Sequence, residues 1–270
     1  MTAPGSAVAA LLVVVLAACS PTAATSIAPS PPAHPVDLTV FGAASLRNVL
    51  GQVKVAYEGD NPGTTLTIST DSSSALEIQI EQGAPADVFL SADTTNPRKL
   101  VDAGLTEGDA LTFARNKLTI IVPGDNPAGI RTPADLARSG VKVIAAGDQV
   151  PITKYATQLV DNLAKDAGYP ADFAAAYAAN VVSREDNVKA VVAKIELGEG
   201  DAGIVYATDA AASTKIISID VPGAADVPAT YAGVVIKAPP NVEAARVFLT
   251  WFAGPGGQEI LGSFGFQPPS

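Results

Sequence analysis

Three features of this 270-residue chain predict an α/β fold. Short apolar, β-branched runs alternate with helix-like runs from residue 37 onward, the pattern of sheets flanked by helices. A first helix carries Leu46, Val49, Leu50 and Val53 at i, i+3, i+4 and i+7, one apolar stripe. About 235 residues follow a leader rich in Pro, Ser, Thr and Ala, enough for one large core or for two smaller ones in separate lobes.

Taken in order, strands are expected over residues 37–41, 64–69 and 87–91, with helices over 46–57 and 75–82 between them. Ser45 stands immediately before the first helix, as an N-cap does. The second helix competes with a strand, because Leu76, Ile78 and Ile80 alternate with Glu77, Gln79 and Glu81. Ser74 and Glu77 stand three apart, as in a capping box, which favours helix. Further strands are expected over 118–122 and 141–145, then an amphipathic helix over 154–167 that stops near Gly168 and Pro170. A helix over 188–197 has Val188, Val191, Val192 and Ile195 on one face, and strands follow over 201–206, 215–219 and 231–236. A helix over 242–252, a break at Gly254-Pro255-Gly256 and a short helix into Phe264-Gly265-Phe266 end the chain. No internal repeat is visible.

Residues 1–18 read as a signal peptide: an apolar core over 8–16 runs into Leu16-Ala17-Ala18-Cys19, a small-residue site ending in the single cysteine. The pattern resembles the bacterial lipobox, which implies cleavage before Cys19 and lipid on its thiol. One departure is that residues 1–7 carry no Lys or Arg. Residues 19–36 then comprise the lipidated cysteine and a flexible tether, too poor in large apolar residues to pack. No other apolar run approaches the roughly 20 residues needed to span a bilayer. The body is therefore expected to be extracytoplasmic, anchored to the cell membrane by lipid on Cys19. With no second cysteine it owes nothing to disulfides. A net charge of −10 without any cluster of Lys and Arg argues against nucleic acid as a partner.

Twice in the first half a strand-like run ends in small residues, presents serine and turns into a helix. The two are Phe41-Gly42-Ala43-Ala44-Ser45-Leu46 and Ser69-Thr70-Asp71-Ser72-Ser73-Ser74-Ala75. A helix start offers free backbone N–H groups and the positive end of the dipole, so the two junctions suggest one anion gripped from two sides. A nucleophilic serine would need a base, yet the single histidine, His34, lies in the tether and no Gly-x-Ser-x-Gly elbow occurs. Zinc or copper would require His and Cys, and Asp87 and Asp93 are too sparse for calcium, so they are expected to cap or brace loops. No phosphate-binding glycine motif is present.

Four segments in order carry a resemblance to a known family: Val40-Phe41-Gly42-Ala43-Ala44-Ser45-Leu46, Ser72-Ser73-Ser74, Gln82-Gly83-Ala84-Pro85-Ala86-Asp87-Val88-Phe89-Leu90-Ser91-Ala92-Asp93, and Gly203-Ile204-Val205-Tyr206-Ala207-Thr208-Asp209-Ala210. Over residues 37–266 the chain resembles the periplasmic molybdate-binding proteins of ABC importers, in lipoprotein form. The resemblance implies the type II periplasmic-binding-protein fold, two lobes, each a mixed sheet flanked by helices, with the ligand in the cleft. Lobe 1 would be residues 37–116 plus 228–270, and lobe 2 residues 117–227, with hinges near 113–118 and 227–234.

It further implies a monomeric, non-catalytic receptor without cofactor, which hands molybdate or tungstate to a membrane permease driven by a cytoplasmic ATPase. The matching donor positions are Ser45 and Ser73 on lobe 1, and Ile152, Asn187 and the hydroxyl of Tyr206 on lobe 2. The family usually has small or apolar residues where Ile152 and Asn187 stand, a change that a backbone donor tolerates if the side chain points away. Without the resemblance, Ser45 would be read as a helix cap and Tyr206 as core. This set contains no ionisable Lys, Arg, Asp or Glu, so it favours a fully deprotonated oxyanion over one whose proton would find no acceptor. A receptor for sulfate or another tetrahedral oxyanion is the alternative within the class, and a serine-dependent lipoprotein enzyme the alternative outside it.

Overall fold

Alternation of strands and helices runs through the whole body in the computed structural model, which describes residues 1–2, 35–237 and 240–269. The expected signal peptide, Cys19 and nearly all of the tether lie outside the described residues. Every element belongs to the unit Pro32–Ser270.

In chain order these are β1 (Val36–Ala43), a 3-10 turn (Ala44–Leu46), α1 (Arg47–Asp60), β2 (Thr64–Asp71), α2 (Ser73–Glu81), β3 (Val88–Ser91), α3 (Thr95–Asp102) and β4 (Leu111–Asn116). A second group follows: β5 (Leu118–Pro123), β6 (Val143–Ala146), α4 (Pro151–Leu163), α5 (Phe173–Ala179), β7 (Val181–Glu185), α6 (Val188–Glu196), β8 (Gly203–Tyr206), α7 (Ala207–Ala211) and β9 (Ile216–Ile219). The chain ends in β10 (Ala229–Val235), α8 (Val242–Ala253) and α9 (Pro255–Ser263).

The first group and β10 build a five-stranded sheet ordered β2-β1-β3-β10-β4, parallel except for β10, which runs antiparallel to both neighbours. Its two faces are buried in different clusters, as strand alternation requires. Val40, Val88 and Leu90 join α1 and α8 through Val49, Leu50, Val53 and Phe248. Phe41, Phe89 and Val234 meet Leu76 and Ile80 of α2 and Leu100 of α3 on the other side. This explains the ambiguous pattern of α2: Leu76 and Ile80, four apart, face the sheet, while Ile78 between them is 47% exposed.

In the second group β5 is the middle strand of an antiparallel β8-β5-β9 sheet, and all six of its residues are buried. The parallel pair β6-β7 joins this sheet through a bridge between Val143 and Ala202. The chain passes between the two sheets at Lys117 and again between β9 and β10.

Several local expectations are corrected. Ser45 sits inside the 3-10 turn and caps nothing with its side chain, because the chain tightens over Ala44–Leu46 before α1 begins. The cap of α2 is Ser72, whose Oγ accepts the Ala75 N–H at 3.3 Å, rather than a Ser74–Glu77 box. Glu77 turns instead to Lys99 of α3 at 3.0 Å. The amphipathic helix begins three residues earlier than expected, at Pro151, whose fixed φ and missing N–H suit a first helical position. Asp87 and Asp93 do brace loops: Asp87 accepts the Thr39 N–H at 2.7 Å, and Asp93 accepts Ser91 Oγ at 2.9 Å and the Asn96 N–H at 3.0 Å.

Candidate anion-binding site

Strands β1, β2, β6 and β7 each end in a short connection that starts a helix or turn, and these starts face one another. Between them lies a small cavity of about 10 Å³, lined by Ala43, Ala44, Ser45, Ser72, Ser73, Ala92, Val150, Pro151, Ile152, Asn187, Val188 and Tyr206. All five residues expected from the sequence to touch ligand are therefore in one place. The space is far below the roughly 300–1,000 Å³ usual for organic ligands. No lining residue carries a charge.

The N-termini of three α-helices, α2, α4 and α6, meet the cavity at Ser73, Ile152 and Val188. First-turn N–H groups have no acceptor within their own helix, and each helix adds about half a positive elementary charge at that end. Positive potential is thus supplied by backbone alone. Ile152 is the second residue of α4 and is buried, so it can contribute its N–H and not its side chain. The Asn187 side chain is engaged by protein through its oxygen and one amide proton: its Oδ1 accepts the Ala190 N–H at 3.1 Å as the cap of α6, and its Nδ2 donates to Asp71 Oδ1 at 3.1 Å.

The serine hydroxyls have a defined sense. Ser73 Oγ accepts the backbone N–H of Ala92 at 3.0 Å, which uses an oxygen lone pair and leaves its proton free. Ser45 Oγ lies 2.9 Å from the hydroxyl of Tyr231, a buried residue of β10 that no sequence signal marked. The separation of 186 residues along the chain puts that partnership beyond local pattern reading.

Tyr206 ends β8 and is 1% exposed, yet among the described residues its Oη has no hydrogen-bond partner. A buried hydroxyl without a partner costs about 1–3 kcal/mol, so its persistence at the cavity wall is the strongest sign that something is to be bound there. Burial drives the phenol well above its ordinary value, and the neighbouring Tyr231, Tyr155, Asp209 and Asp93 push in the same direction. It therefore keeps its proton at physiological pH and remains a donor.

Behind it Asp209 of α7 is fully buried, and desolvation raises its carboxyl above the usual range despite Lys189. The Lys189 ammonium, 2.7 Å from Oδ1, balances the charge, though the approach leaves both carboxylate oxygens without a directed hydrogen bond. A larger cavity of about 210 Å³ opens beside α4 and α5 and shares Ile152. Its wall is mostly alanine, valine and isoleucine with the Arg184–Asp148 ion pair (2.9 Å), and it gathers none of the other four expected residues. No group of three or more His, Cys, Asp or Glu that could hold a metal ion occurs among the described residues.

Because the Tyr206 hydroxyl is unsatisfied, Tyr206→Phe is expected to stabilise the ligand-free protein by up to about 1–3 kcal/mol. Denaturant unfolding checks this, and a loss of stability of similar size would mean that the hydroxyl has an internal partner.

Known proteins agree with this architecture. Residues 38–267 match the family described as bacterial extracellular solute-binding protein. The chain is 34% identical over 263 residues to the molybdate-binding protein ModA of Mycobacterium tuberculosis, covering 97% of this chain and 96% of that one. It is 29% identical over 238 residues to the putative ABC transporter substrate-binding lipoprotein YvgL of Bacillus subtilis, covering 86% of each. Among solved structures, the periplasmic molybdate-binding protein of Azotobacter vinelandii superposes with a TM-score of 0.72 at 26% identity, covering 86% of this chain and all of that one. With the family pattern running through both sheets and likeness to a molybdate-binding protein nearly end to end, this chain belongs to the bacterial extracellular solute-binding proteins, as a component of an ABC importer.

Proposed function

We propose that this protein captures molybdate or tungstate outside the cytoplasm and delivers it to the permease of its importer, holding the anion in the uncharged cavity through Ser45, Ser73, Ile152, Asn187 and Tyr206. The observation that carries this reading is the meeting of three helix N-termini and an unpartnered buried phenol with no cation among them. Ile152 and Asn187 act through backbone N–H, and the two serines and Tyr206 through hydroxyl protons. Removing a dianion from water is favourable only where donors replace its hydration shell. Molybdate and tungstate are fully ionised at neutral pH and meet a donor set without loss. Hydrogen phosphate would bring a proton for which the cavity wall holds no carboxylate, leaving as acceptors only the hydroxyl oxygens that the anion needs as donors. Sulfate passes the same test of charge, so the larger metal oxyanions are distinguished from it by fit. Relatives named for molybdate support that choice.

Two further parts belong to the same reading. Lobe 1, residues 37–116 with 228–270, and lobe 2, residues 117–227, close on the anion about hinges at the two crossings between sheets. The two sides meet across the cleft through Asn187 and Asp71, and through Lys154 Nζ, which lies 3.2 Å from Thr95 Oγ1. Lipid on Cys19 holds the protein at the membrane, which fits the small-residue site before it and the lipoprotein relative.

In a thermal-shift panel, molybdate and tungstate are expected to raise the melting temperature, and phosphate is not. A shift with sulfate and none with molybdate would reassign the ligand. Ser45→Ala and Ser73→Ala should each weaken molybdate binding by about 1–3 kcal/mol in calorimetry, and Tyr206→Phe should do the same despite its gain in stability; wild-type affinity in all three would remove them from the site. Small-angle scattering should register compaction on adding molybdate, and an unchanged radius of gyration would rule out closure. Cys19→Ala should move the protein from the membrane fraction to the soluble one, and continued membrane retention would rule out the anchor.

A further inference from the structure

Ser45 stands at one end of a buried hydrogen-bonded chain. Its Oγ is 2.9 Å from Tyr231 Oη, and the two residues are 5% and 0% exposed. Asn116, the last residue of β4, supplies the next link, donating from Nδ2 to Thr208 Oγ1 at 2.8 Å and, over a longer 3.5 Å, to Tyr231 Oη. The amide cannot be turned round, because its Oδ1 accepts the backbone N–H of Lys117 at 2.9 Å. Both protons of Nδ2 are thus assigned, and the oxygen of Tyr231 is an acceptor.

By distance alone the Ser45–Tyr231 bond could run in either sense, but Ser45 Oγ and Asn116 Nδ2 are the two partners of the Tyr231 hydroxyl among the described residues, so its buried proton is satisfied when it is donated to Ser45. Burial holds the Tyr231 phenol well above its ordinary value, which keeps the proton in place. Four elements meet in the chain: β4 through Asn116, β10 through Tyr231, α7 through Thr208, and the turn that carries Ser45. Linked donors polarise one another, so a serine that already accepts donates more strongly.

We propose that Tyr231 is a positioning residue for the anion site: the sequence Asn116 to Tyr231 to Ser45 sets the direction of hydrogen bonding and leaves the Ser45 proton free for the ligand. The proposal rests on the reading of the cavity as an oxyanion site. It gives Ser45 the same sense that Ala92 imposes on Ser73 through backbone, here by a side chain that mutation can reach. Without the Tyr231 hydroxyl, nothing holds the Ser45 proton towards the cavity, and its bond to the anion weakens.

Tyr231 also packs edge-on against Phe113, Tyr206 and Phe266, with ring centroids 6.0, 5.6 and 5.5 Å apart. Tyr231→Phe preserves those contacts and removes only the oxygen. A double-mutant cycle read by calorimetry with molybdate separates the two roles. Tyr231→Phe is expected to weaken molybdate about tenfold when Ser45 is intact, and less than twofold in the Ser45→Ala background. Equal losses in both backgrounds, or no loss with Ser45 intact, overturns the relay. Should Ser45→Ala itself bind molybdate as the wild type does, the oxyanion reading of Ser45 fails first and the relay with it; a loss in Ser45→Ala without one in Tyr231→Phe overturns the relay alone.

Discussion

A dianion leaving water loses a large solvation energy, and a site that takes it must return that energy as positive potential from every side. In this protein that potential comes from backbone. Cationic side chains are missing from the cavity wall, while α2, α4 and α6 all begin there. The arrangement follows from topology. Strands β2, β6 and β7 lead by short connections into helices, so the positive helix ends collect at the carboxyl ends of strands from two sheets. Each helix contributes only a partial charge, and several aimed at one point are needed to replace a counterion. An overall charge of −10 does not help an anion approach, so recognition is confined to these short-range dipoles.

Fixing the direction of the hydroxyls matters as much as the field. A serine can donate or accept, and a wall of free serines would take a protonated anion as readily as a bare one. Here Ser73 already accepts from Ala92, and Tyr231 stands against Ser45. The Tyr206 hydroxyl is held protonated by burial. Lys189, 2.7 Å from the buried Asp209 carboxylate, compensates its charge. The cost of the arrangement is an unsatisfied phenol at the cavity wall.

Legibility in the sequence followed the length and regularity of each element. The stripe of α1 and that of α6 were readable because four apolar residues repeat at helical spacing and bury together. α3, α5, β4 and β7 carried no comparable signal. α5 is alanine-rich and buries only Phe173, while β7 has no fully buried residue. Serines near a helix start were recognised, but which of them capped could not be decided. Ser45, Ser72, Ser73 and Ser74 differ in tertiary partners and hardly at all in local pattern.

By itself the sequence determined the α/β class and, through four ordered segments, the resemblance to the family and three residues that line the cavity, Ser45, Ser73 and Tyr206. Those conclusions depend on residue type and spacing, which a chain carries in linear form. The tertiary structure decided where the Ile152 and Asn187 side chains go, one buried and the other capping α6 and reaching Asp71. It also decided what the Ser45 hydroxyl meets, through Tyr231 and Asn116, residues 186 and 115 positions distant from their partners. A hydrogen bond takes its sense from whatever lies beside it in space, and no linear pattern records that.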